Sequence, residues 1–139
     1  MQEFVVALTA GILLLLSACH FYWAAGGAWG KASAVPRQGQ QPLFQPSVAA
    51  TLAVAILLAA AAALVASELK TWEDPRVHRL THWGNLALAA VFGLRAVGDL
   101  RWVGFFKRVR GTHFASLDTW VYSPLCVLLS LGCWYAARG

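Results

Sequence analysis

Charge is scarce in this chain. Of 139 residues, only 12% are Asp, Glu, Lys or Arg, about half the share of a soluble domain. With 59% of residues hydrophobic, a soluble fold of this length would lack the polar surface to cover its core. Cysteine is sparse as well. Cys19, Cys126 and Cys133 are odd in number and contain no C-x-x-C pair. That excludes a disulfide framework and a thioredoxin-like redox motif, and the thiols read as small apolar side chains in helix packing. No run of Lys and Arg is long enough for nucleic acid, so the net charge of +5 points to loops facing anionic headgroups. There is no H-E-x-x-H motif, and the sequence predicts no metal, haem or other cofactor.

What is present is apolar length. Four blocks stand out, at about 4–25, 47–69, 81–100 and 119–137. Each approaches the ~20 residues that cross a hydrocarbon layer about 30 Å thick. The N-terminal block follows MQEF, which lacks the positive start of a signal peptide, and it is longer than the usual apolar region of one. It reads as a retained span. The prediction is a single all-α domain over 1–139, an integral membrane four-helix bundle. The connections at 30–46 and 101–118 read as loops, the second lying along the interface.

Counting crossings assigns sides. With the N-terminus on side A, the end of span one, the end of span three and the start of span four all meet on side B. Side B then collects His20, Tyr22, Trp23, Trp29, Arg95, Asp99, Arg101, Trp102, Lys107, His113, Asp118, Trp120 and Tyr122. On side A, Trp72, Trp83 and Trp134 fit the aromatic belt of a membrane interface. Belt and ligand cage remain alternatives for the side-B indoles.

Arg95 is the most expensive of these residues. It lies about 14 residues into span three, roughly 21 Å along a helix rising 1.5 Å per residue. A charge at that depth costs at least ~2.5 kcal/mol and needs a partner. Asp99, four residues on, is the expected one; the alternative is an anion or headgroup site at Arg95. Asp118 reads either as an N-cap of span four or, with Tyr122 one turn away and Pro124 loosening the backbone, as part of a pocket mouth. His20 reads either as a hydrogen-bonded structural residue or as a proton-transfer group, and His113 lies on the same side.

Three stretches, HFYWAAGG, GLRAVGDLRWVGFFKR and FASLDTWVYSPLC, resemble a bacterial family of small four-span membrane proteins catalogued as a domain of unknown function. Ala25 stands where the family stretch is expected to read YWALGG. The resemblance covers nearly the whole chain. It implies the four-span architecture and a multi-pass protein of a bacterial inner membrane, and it carries no established activity. The motif residues are His20, Tyr22, Trp23, Gly26, Gly27, Arg95, Gly98, Asp99, Gly104, Phe105, Lys107, Asp118, Tyr122 and Pro124.

The leading expectation is a pocket at one bilayer face that binds, or transforms by acid–base chemistry, an isoprenoid-, sterol- or quinone-like molecule. Its isomerase- or cyclase-type version uses Asp118, Asp99 and His20 as catalytic groups. Tyr22, Trp23, Arg95, Trp120, Tyr122 and His113 would bind the ligand. The expected partner is therefore a membrane lipid or other apolar small molecule. A homo-oligomeric transporter or channel subunit, or an accessory subunit contacted through Gly84, Gly93 and Gly98, are the alternatives.

Overall fold

The computed structural model of the protein describes residues 1–38, 41–70 and 73–139. Trp72, expected in the side-A belt, lies outside them. The chain is mainly helical. Its elements are α1 (Gln2–Ala24), α2 (Lys31–Ala34), β1 (Arg37–Gln38), β2 (Gln41–Pro42), α3 (Val48–Ser67), α4 (Pro75–Val97), α5 (His113–Leu117), a π-helical segment (Asp118–Tyr122) and α6 (Ser123–Ala136).

The long helices begin where a side chain satisfies the first free amides. Ser47 Oγ accepts from Ala50 N at 3.1 Å. Asp74 Oδ1 accepts from Arg76 N at 2.8 Å, with Pro75 in the first turn, where its missing N–H costs nothing. Thr112 Oγ1 accepts from Ala115 N at 3.0 Å. Asp118 is thus not an N-cap: the helix starts five residues earlier and runs through it. Pro124 cannot donate a backbone hydrogen bond. Just before it the helix widens, and Ser123 N reaches back to Asp118 O. The stretch read as a plain loop at 30–46 holds α2 and an antiparallel ladder with Arg37 opposite Pro42.

All four long helices feed one buried cluster. α1 supplies Val6, Ala10 and Leu13, α3 supplies Ala61, Ala62 and Val65, α4 supplies Ala89, and α6 supplies Leu129, Cys133 and Ala136. α1 packs mainly on α3, and α4 on α6. Polar side chains stitch the helices where they face each other. Ser17 Oγ donates to Ala55 O at 2.7 Å, and Ser130 Oγ donates to Ala89 O at 2.7 Å. His82 Nδ1 lies 2.6 Å from Ala137 O. Seven residues down α4, from 82 to 89, match seven up the partner, from 137 to 130, which is antiparallel packing. Gly84 lies against Leu64 and Gly93 against Ser130, so these glycines serve contacts within the chain.

α1, α3 and the continuous helix His113–Ala136 are each long and apolar enough to cross a membrane. α4 is as long as α1, at 23 residues, but is less apolar. The outward side chains of the helices are largely Leu, Ile and Val, including Leu14, Leu15, Ile56, Leu57, Val91 and Leu128.

Candidate functional site

At the C-terminal end of α4, Gly98 takes φ 84°, ψ −168°, a conformation open in practice only to glycine. The chain leaves the helix there, so Asp99 is no longer one turn above Arg95. The expected Arg95–Asp99 pair does not form. Asp99 is exposed, and its Oδ1 accepts from the amides of Arg101 (3.0 Å), Trp102 (2.7 Å) and Val103 (3.0 Å). Partial burial acts to raise its pKa. The amides of Trp102, Arg101 and Val103 outweigh that and hold the carboxyl below its ordinary value of 3.8.

Arg95 reaches instead to the π-helical segment. Its Nη2 donates to Asp118 Oδ1 at 2.9 Å. Oδ2 of the same carboxylate accepts from Gly104 N at 2.7 Å and from Lys107 Nζ at 3.1 Å. Lys107 also donates to Gly104 O (3.0 Å) and Thr119 Oγ1 (2.6 Å). All three ammonium protons are therefore used. The Lys107 and Asp118 side chains are 1% and 0% exposed. Two cations thus share one carboxylate. Both Asp118 oxygens act as acceptors, which leaves no O–H directed at a ligand.

The Arg95 side chain is 36% exposed, and it borders a cavity of about 450 Å³. That volume suits a small-molecule site. α1 contributes His20 and Trp23, α3 contributes Ala50, Thr51 and Val54, and the connection between them contributes Lys31, Ala34, Val35, Phe44 and Pro46. A second cavity of about 350 Å³ shares Lys31, Val35, Phe44 and Pro46 with the first. Both lie under the connection that joins α1 to α3. Arg95 Nη1 is buried and has no hydrogen-bond partner among the described residues.

His20 Nδ1 stands 2.7 Å from Leu16 O. A carbonyl only accepts, so Nδ1 carries the hydrogen and Nε2 is the nitrogen left to accept one. The ring meets Trp23 edge-on, centroids 4.9 Å apart. Trp23 Nε1 donates to Trp29 O at 2.8 Å, which fixes the turn after α1.

The structure thus brings together His20, Trp23 and Arg95 at the cavity, with Asp118 behind Arg95. Tyr122 does not line the cavity. Its hydroxyl donates to Ser33 O at 3.1 Å and ties the π-helical segment to α2. Tyr22 is half exposed and its ring covers Gly27. Trp120 is 79% exposed and does not line the cavity. His113 and Asp99 are exposed at the start of α5 and in the loop after α4. Neither lines the cavity.

Lys31, Lys107 and Thr119 have structural places that the reading of the sequence did not give them. The signal for Lys107 was that the crossing count placed it on side B together with Asp118. His78 and His82 stand at H-x-x-x-H spacing. Among the described residues, no group of three His, Cys, Asp or Glu could hold a metal ion.

No match was found among curated proteins or among solved structures. A family model matches residues 13–133, from the middle of α1 to near the end of α6, and the chain belongs to that family, described as Protein of unknown function (DUF3995).

Proposed function

We propose that the protein is a multi-pass membrane protein that holds an apolar small molecule with a polar end in the cavity between α1, α3 and α4. α4 is the fourth span in this reading, and the membrane is a bacterial inner membrane. The molecule is isoprenoid-, sterol- or quinone-like in bulk. One observation carries the proposal: a cavity of about 450 Å³ is lined by the apolar Val35, Phe44, Pro46 and Val54 and also by His20, Lys31 and Arg95. The acid–base version of the reading narrows to His20, because Asp118 and Asp99 are committed to donors of the protein itself.

The test is mass spectrometry of small molecules retained by the full chain purified in a neutral detergent, alongside Ala34→Phe. Ala34 lines the cavity, and the larger ring fills it. The expected result is a stoichiometric apolar molecule in the native protein, missing from a variant with an unchanged melting temperature. Equal retention in both would remove the cavity from the function. Replacing His20 with Gln separates binding from chemistry: retention persists, and turnover of the retained molecule, if it occurs, is lost.

A further inference from the structure

We propose that the molecule held in this cavity is an anionic amphiphile, whose phosphate or carboxylate oxygens sit against Arg95 and Lys31. The inference rests on the cavity reading above and adds the chemistry of the head. Among the residues that line the cavity, Arg95 and Lys31 are cationic and none is acidic. Asp118, the carboxylate paired with Arg95, is already shared with Lys107. Counting formal charges, two cations against one anion leave the cluster at +1, with Lys107 and Asp118 buried and Arg95 partly exposed, and Lys31 adds to it.

An uncompensated charge beside apolar walls is costly, and such sites resolve the cost by taking a counter-ion. Arg95 has the hardware for one. Nη2 gives one hydrogen to Asp118, while Nη1 is buried with no partner among the described residues. The Arg95 side chain is still 36% exposed where it borders the cavity, and a guanidinium can bind a planar or tetrahedral oxyanion through N–H groups not used elsewhere. The apolar walls exclude a bare soluble ion as the preferred occupant, because they gain nothing from it. A tail lying along Phe44, Val54 and Val35 gains from their burial.

The experiment is isothermal titration of the full chain in neutral detergent with three probes: dioctanoyl phosphatidic acid, dioctanoylglycerol and inorganic phosphate. The first two share a tail and differ in the head; the third has no tail. The expected result is that the phosphatidic acid binds at least tenfold tighter than the glycerol, with no detectable binding of phosphate. Arg95→Lys keeps a cation beside Asp118 but removes the free arm. It is expected to erase most of the tenfold preference, read as the ratio of the two affinities within the variant, with its melting temperature measured alongside. Lys31→Gln is expected to lower the preference in part.

Equal affinity for the two tailed probes would overturn the anionic head and leave the cavity reading intact. So would a preference untouched by both substitutions, since the head would then sit elsewhere. Binding of phosphate alone, or of no probe, would overturn the head and the cavity reading together.

Discussion

Removing the Asp118 carboxylate would leave the buried Lys107 ammonium without an anion and Arg95 unpaired beside the cavity. Breaking a buried pair in this way costs about 3–5 kcal/mol, since the remaining charge keeps its desolvation penalty. Asp118→Asn is therefore expected to lower the melting temperature in detergent far more than Lys107→Met does. In the latter, Arg95 and Gly104 N still serve the carboxylate. A native-like melt for Asp118→Asn would contradict the network. The opposite case is Asp99, exposed and bound only to backbone amides. Because its folded pKa is depressed, its contribution is complete above 3.8 and is lost as pH falls through the lower folded value. Faster amide exchange at Trp102 and Val103 is expected in Asp99→Ala at neutral pH. Both carboxylates were legible in the sequence as special; their partners were not. Helical spacing assigns Asp99 to Arg95 only while the helix continues, and it ends at Val97.

Helix ends account for most of what pattern reading displaced. Hydropathy marks the stretch of a helix that suits lipid, whereas capping marks where the helix begins. The apolar block at 81 and the start of α4 at Pro75 differ for that reason, as do the block at 119 and the start of α5 at His113. Asp74 before Pro75 and Thr112 before His113 are the cap residues that set those starts. The π-helical segment was less legible. Pro124 signals a disturbed turn, but only the structure tells that the turn widens and turns Asp118 inward. The loop after α4 returns on the helix end so closely that a Cβ on Gly98 would run into Val103 O, and one on Gly104 into Val97 O. Gly98→Ala is expected to cost at least the 1–3 kcal/mol of its backbone conformation alone. The melting temperature should fall by several degrees, and the Arg95–Asp118–Lys107 cluster should loosen with it, because Gly104 N and Lys107 hang from that loop.

For the molecule as a whole, the point that decides its topology is α4. Read along the chain, it carries Arg76, His78, Arg79, His82, Asn85 and Arg95, and a running average of hydropathy penalises each one. Read around the helix, the penalty shrinks. Asn85 is fully buried, and its Nδ2 donates to Glu68 Oε1 at 3.1 Å. His82 is tied to Ala137 O, and Arg95 to Asp118. Arg76, His78 and Arg79 occupy the first turn or so, where side chains reach water by snorkelling. What the middle of α4 turns outward is Trp83, Val91 and Leu94, a surface suited to lipid. Polar residues inside the bundle are cheap when paired and count against a span only in the average. The two counts make opposite predictions. Four crossings put both termini on one side, with 26–46 and 98–112 on the other; three crossings separate the termini. Single cysteines placed at Gln2, Arg138, Ala32 and Ser116 in a background lacking Cys19, Cys126 and Cys133 can be labelled with a membrane-impermeant maleimide in sealed vesicles. Gln2 and Arg138 are expected to label together, and Ala32 and Ser116 only after the vesicles are opened or inverted. Labelling of Gln2 without Arg138 would mean that α4 does not cross. The +1 cluster would then lie at the water interface, and no buried charge would call for an anionic ligand.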